Sequence, residues 1–112
     1  MKEVKAYIRH NMVGKVIEAL EQTGYTDMTL IDVKGLTTGL PRAEYHYSLE
    51  LAEKYMNVVK LEMVCCDQDV ARIVEIIKAT ACTGRKGDGL VFVTPVEHAT
   101  RIYTGEEVKE GQ

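Results

Sequence analysis

One regularity constrains this chain more than any other: its two halves repeat. The apolar stripe Val13, Val16, Ile17 and Leu20 recurs 57 positions later, with the same internal spacing, as Val70, Ile73, Val74 and Ile77. Steps of three and four residues mark one face of a helix. The same displacement carries Val4, Ala6 and Ile8 onto Leu61, Met63 and Cys65. Alternation of this kind puts those side chains on one face of a strand. Strands are predicted over Glu3–Arg9, Met28–Lys34, Val58–Cys65 and Leu90–Thr94, all β-branched or alternating. Asn11 is expected to cap the first helix and Gly24 to close it. Asp67 is expected to open the second, with Asp69 in its first turn and an end near Lys78. Two successive β-α-β units predict an α+β, ferredoxin-like βαββαβ sandwich. Its four-stranded antiparallel sheet carries both helices on one face and a long loop between strands 2 and 3.

Nothing in the composition divides the chain. No Pro/Ser-rich linker interrupts its 112 residues, so one domain over 1–112 is predicted. A net charge of -3 offers no attraction to phosphate backbones, so no nucleic-acid partner is expected. No apolar run approaches the ~20 residues of a membrane span. The opening Met1–Lys5 lacks the apolar core of a signal peptide, and a cytoplasmic protein without membrane insertion is the expectation. Three cysteines argue against a disulfide framework. Cys65 and Cys66 would face opposite ways on a strand, and no zinc spacing is present, so the cysteines read as small buried hydrophobes and no metal site is assigned.

Two features are not needed for the fold. Tyr7, Ile31, Val33, Val64, Leu90 and Phe92 alternate with the residues expected to meet the helices, Met28, Leu30, Val91 and Val93 among them, which leaves a sheet apolar on both sides. Such a sheet wants a second cover, and another copy of the chain in a closed ring supplies one. The second feature is Thr83-Gly84-Arg85-Lys86-Gly87-Asp88-Gly89, between the second helix and the last strand. Glycines permit close ligand approach, and successive N–H groups form an anion-binding nest. Arg85, Lys86 and, past the last strand, Arg101 add positive charge. The pattern is neither a Walker A loop nor a dinucleotide fingerprint. The stretch Leu36–Asn57 begins with turn residues and continues with Tyr45, Tyr47, Leu49 and Leu51 in strand-like alternation. A helical phase through Tyr45, Leu49, Ala52 and Met56 competes with it. A long projecting segment of this kind carries recognition more often than stability.

Four stretches resemble the PII signal-transduction family. They are Asp32–Gly35, Val59–Val64, Thr83–Glu97 and Arg101–Glu106, the most specific being Thr-Gly-x-x-Gly-Asp-Gly followed by a strand and Pro95-Val96-Glu97. The resemblance implies a homotrimer with an adenine nucleotide (ADP, AMP or ATP, with Mg accompanying ATP) in each of three clefts between subunits. It implies a phosphate-binding loop over about 83–89, a C-terminal segment over about 96–112, and a long loop over about 36–57 that docks on a target protein. Carried over by position, the nucleotide-binding candidates are Thr29, Gly35, Glu62, Val64, Thr83, Arg85, Lys86, Gly87, Asp88, Gly89 and Arg101. Thr29, Glu62 and Val64 would surround adenine. Gly87, Asp88 and Gly89 would offer N–H groups to phosphate, and Arg101 would supply charge from across the interface.

The departures from the family pattern are equally informative. Thr37-Thr38-Gly39 stands where nitrogen-sensing members have Gly-Arg-Gln, which removes one cation and the metal-holding glutamine. Val58 replaces the lysine that meets 2-oxoglutarate, Leu90 and Tyr103 replace two phosphate-facing cations, and Leu51 matches a modified tyrosine. The resemblance therefore implies a divergent, non-enzymatic regulator with no catalytic residues, acting on a partner such as a membrane transporter. A slow nucleotide hydrolase, or a metal-binding trimer like the CutA proteins using His10, His46, His98 or the cysteines, are the alternatives.

Overall fold

The computed structural model describes residues 1–34, 57–85 and 88–109. The readings made for positions 36–56 of the long loop, for Gly35, Lys86 and Gly87, and for the last three residues of the C-terminal segment therefore lie outside the described residues. The helices and strands follow in the order β1 (Lys2–Arg9), α1 (Val13–Gln22), β2 (Thr29–Lys34), β3 (Asn57–Cys65), α2 (Val70–Ala81) and β4 (Val91–Pro95). Each strand begins and ends within one or two residues of its predicted limits. The sheet order is β2-β3-β1-β4, and all three pairings are antiparallel. This is the ferredoxin-like arrangement that the repeat predicts.

The repeat supplies the core almost residue for residue. Val4, Ala6 and Ile8 from β1 and Val59, Leu61 and Met63 from β3 are buried against Val13, Val16 and Leu20 of α1 and Ile73 and Ile77 of α2. Burying eleven such side chains at roughly 1.5–3 kcal/mol for each large one is the main force holding the layers together. Tyr25, after α1, donates its hydroxyl to Asp69 at 3.2 Å and so ties the exit of one helix to the start of the other.

Four local expectations need correction. Asn11 does not cap α1: the chain turns through a 3-10 segment, His10–Met12, and Met12 takes the cap position without a side-chain bond. Asp67 likewise begins a 3-10 turn rather than α2, and its carboxylate holds the N-terminal ammonium at 2.7 Å. The helix α2 continues three residues past Lys78, through Ala79-Thr80-Ala81, until Cys82 adopts an extended conformation. Leu30 and Val93 point to the helix side by register, yet are 44% and 37% exposed. They sit on β2 and β4, the two edges of the sheet, where two helices do not reach.

The cysteines also differ from expectation. Cys65 and Cys66 are only half-buried, and Cys82 is exposed because it leaves the helix end in extended backbone. Burial pushes the Cys65 thiol above its ordinary value.

Candidate functional site

The sheet face turned away from the helices carries Tyr7, Ile31, Val33, Val58, Val64 and Phe92, as their register with one another requires. Tyr7 and Phe92 stack with centroids 6.1 Å apart, and Lys5 lies 6.0 Å from the Phe92 centroid. The charges on this face pair internally, Lys5 with Glu3 at 3.2 Å and Lys60 with Glu62 at 3.0 Å. The Glu62 carboxylate raises the Lys60 ammonium above its ordinary value by accepting its hydrogen bond. What remains for a neighbour is therefore chiefly apolar surface.

The candidate nucleotide-binding residues gather at two opposite ends of this sheet. The first group surrounds Asp88, whose carboxylate accepts from the Thr83 hydroxyl, from the Thr83 N–H at 2.8 Å and from the Gly84 N–H at 3.1 Å. Arg9 donates its Nε to the same carboxylate at 2.9 Å. These donors, the Thr83 hydroxyl foremost and Arg9 next, hold Asp88 far below the usual carboxylate range. Gly84 can turn its N–H inward because it adopts φ +78°, where a side chain would be strained. The Asp88 N–H donates to the Arg85 carbonyl at 3.2 Å. The Thr83 and Gly84 N–H groups are thus taken by the chain's own carboxylate rather than left open to an external anion.

Gly89 is fixed by contact rather than by conformation. A Cβ there would lie 1.7 Å from the Tyr7 carbonyl oxygen. The loop runs this close because the Tyr7 N–H donates to the Leu90 carbonyl at 2.9 Å, one residue before the start of β4. Beside it, between the end of α2 and strands β1 and β4, lies a largely apolar cavity of about 360 Å³.

The second group lines an open groove of about 940 Å³ at the other end, where Thr29, Glu62 and Val64 face Arg101. Thr29 and Glu62 are cross-strand partners, and Val64 is opposite Glu3. Arg101 belongs to a hairpin closed by a Thr100–Glu107 bridge. The Arg101 N–H donates to the Glu106 carbonyl and the Val108 N–H to the Ala99 carbonyl, each at 2.8 Å. Glu3 and Tyr7 are four residues apart on one strand, so the two groups are roughly 13 Å apart along β1.

Sequence reasoning missed two participants. Arg9 reads only as the end of a strand, and its bond to Asp88 spans 79 residues, so no local pattern signals it. His98 Nδ1 lies 2.8 Å from Glu107, and its Nε2 lies 2.8 Å from the Thr100 hydroxyl, which pins the base of the hairpin. Among the described residues no three His, Cys, Asp or Glu side chains gather as a metal site, and no helix is long and apolar enough to cross a membrane.

Comparison with known proteins identifies the family. The family described as nitrogen regulatory protein P-II matches residues 1–106. The nitrogen regulatory protein P-II of Azospirillum brasilense is 38% identical over 107 residues, 96% of each chain. That of Pasteurella multocida is 37% identical over 96% of each chain, and that of Nostoc punctiforme 36% over 98% of each. With its ferredoxin-like fold and a family match from end to end of the described sheet, this chain belongs to the PII family of nitrogen regulatory signalling proteins.

Proposed function

We propose that three copies of this chain form a ring, that an adenine nucleotide binds in each cleft between them, and that the nucleotide governs docking of the loop 36–57 on a target protein. The observation that carries this reading is the separation of the candidate residues into two incomplete halves. Thr83, Gly84 and Asp88, with Arg85 beside them, supply backbone and charge for a phosphate without a wall for a base. The groove of Thr29, Glu62 and Val64 supplies a wall and one cation, Arg101, without that backbone. Head-to-tail contact brings the first half of one subunit to the second half of the next, and a ring satisfies every copy. The apolar sheet faces turn inward and cover one another.

The chain acts as one domain and as a regulator rather than an enzyme. It works in the cytoplasm, and its target is a membrane transporter that the loop 36–57 contacts. Binding alters that loop by favouring one of its states through differential contacts. ADP and AMP bind at least as tightly as ATP, because Thr38, Leu90 and Tyr103 stand at positions where the family has cations and Arg9 is engaged by Asp88. Each further phosphate lacks a charge-assisted partner yet must still be desolvated. A Mg ion accompanying ATP is carried by the phosphates, since the Asp88 oxygens are taken by Thr83, Gly84 and Arg9. The substitutions at Gly39 and Val58 remove the usual means of sensing 2-oxoglutarate.

Calorimetric titration with AMP, ADP, ATP and cyclic AMP, with and without 2-oxoglutarate, tests the reading. The expected result is one adenine nucleotide per subunit, ATP no tighter than ADP, and no gain from 2-oxoglutarate. Absence of binding by every adenine nucleotide at millimolar concentration would overturn it.

A further inference from the structure

We propose that Cys65 and Cys66 form a two-thiol site, in a hollow at the end of β3, that chelates one monosubstituted trivalent arsenical. The site stands whether or not a nucleotide binds elsewhere on the chain.

Two adjacent cysteines within a regular strand would point to opposite faces, but this pair does not lie wholly within one. Strand β3 ends at Cys65, and Cys66 leaves it at φ −71° and ψ 151°, just before the 3-10 turn Asp67–Asp69. A strand residue has φ of roughly −120° to −140°, so this value turns the Cys66 side chain away from strict opposition. Both residues line one hollow of about 250 Å³, together with Tyr25 and Asp27 from the α1–β2 connection and Asp69 from the turn. Both are half-buried, and neither is in a disulfide. The Cys65 sulfur also senses its neighbour: burial first, then Asp69, then Cys66 raise its thiol above the ordinary value.

The frame around the pair is fixed. Cys65 is opposite Lys2 in the β1–β3 ladder, and the Cys66 carbonyl accepts from the Asp69 N–H at 3.0 Å. Tyr25 donates its hydroxyl to the Asp69 carboxylate at 3.2 Å and so joins the two sides of the hollow. Thiols held in place before a ligand arrives lose little freedom on binding it.

The ligand class follows from what the pair offers. Thiols are soft ligands and do not suit hard, oxygen-seeking cations. A zinc-like dication needs ionised thiols and further ligands to complete its shell. Burial disfavours the Cys65 thiolate, and among the described residues no third His, Cys, Asp or Glu completes a metal site with the pair. A disulfide between the two is no rival, because adjacent Cα atoms stand about 3.8 Å apart whereas disulfides span about 4.4–6.8 Å. An arsenical of the form R–As=O asks for two neutral thiols and nothing else. Each sulfur forms a bond to arsenic, the arsenic–oxygen double bond breaks, and the oxygen leaves as water with both thiol protons. Arsenic stays trivalent, so no oxidant or reductant takes part. The bridging atom also widens a ring that a direct sulfur–sulfur bond would close too tightly.

Phenylarsine oxide, added in equimolar amount to the reduced full chain without nucleotide, provides the test. After desalting, mass spectrometry should show one adduct per chain, heavier by a phenylarsenic group less two hydrogens. A thiol assay should count one free cysteine in place of three. Cys82→Ser should keep the adduct. Cys65→Ser should lose it, and so should Cys66→Ser, which alters a residue outside the strands and spares the core. Excess β-mercaptoethanol should leave the adduct in place and dithiothreitol should remove it, as a chelate requires. An adduct that survives in Cys66→Ser, one that needs Cys82, or one that β-mercaptoethanol strips would overturn the proposal. Cadmium shielding the pair from an equal concentration of phenylarsine oxide would overturn it too, since the site would then be one for a divalent metal.

Discussion

Replacing Gly89 by alanine tests the geometry of the loop most directly. The added Cβ would sit 1.7 Å from the Tyr7 carbonyl oxygen, 2.6 Å from its carbonyl carbon and 3.0 Å from its Cβ. The two nearest obstacles are backbone atoms of a central strand, so no rotamer change relieves the clash. Ordinary contact begins near 3.4 Å, and strand and loop must separate by well over an ångström. That movement breaks the 2.9 Å bond from the Tyr7 N–H to the Leu90 carbonyl. Overpacking costs about 1–3 kcal/mol and the lost bond about 0.5–1.5 kcal/mol, together about 1.5–4.5 kcal/mol. At about 4 °C per kcal/mol for a domain of this size, Gly89→Ala should melt about 6–18 °C lower. Thermal unfolding followed by circular dichroism at one fixed protein concentration measures this, since assembly makes Tm concentration-dependent. Gly84→Ala is the control: its site is open and only the φ of +78° is violated, for about 1–2 kcal/mol. A Gly89→Ala protein that melts with the native one, or no lower than Gly84→Ala, would refute the close approach of loop to strand.

Three further outcomes are expected. The Asp88 carboxylate titrates below its unfolded value of about 3.9, so its stabilisation is complete above that pH and is lost as pH falls further. The stability gap between native protein and Asp88→Asn, read by urea unfolding, should accordingly narrow from pH 7 to pH 3, and a gap independent of pH would contradict the ligation by Thr83 and Arg9. Phe92→Asp or Val64→Lys should turn the assembled protein into monomers by light scattering, because burying an unpaired charge costs several kcal/mol; an intact assembly of equal stability would show that the interface lies elsewhere. Arg101→Ala should weaken AMP, ADP and ATP together by about tenfold or more, the loss of one charge-assisted contact of about 1.5–3 kcal/mol, and unchanged calorimetric affinities would remove Arg101 from the site.

The fold was legible because its determinants are local and repeated. Three- and four-residue spacing in Val13–Leu20 and Val70–Ile77, and alternation in Val4–Ile8 and Leu61–Cys65, dictate which faces must be hidden, and a sheet with two helices on one side hides them. Helix starts were less legible. Asn11 and Asp67 are good cap residues, but a 3-10 turn at each place satisfied the geometry without them. The glycine-rich stretch was visible as a loop, and Thr83, Asp88 and Gly89 could be singled out from it. Its internal logic could not be read, because Arg9 reaches Asp88 from 79 residues away and Gly89 is forced by the backbone of Tyr7. Nor does any spacing in the sequence reveal that Thr29, Glu62, Val64 and Arg101 share one groove while the loop lies at the other end of β1. The elements and their buried faces follow from periodicity along the chain, and reading the residues in order is enough to find them. The division of the site into two halves emerges only on folding, since antiparallel pairing sets neighbours by register across strands rather than by distance in sequence.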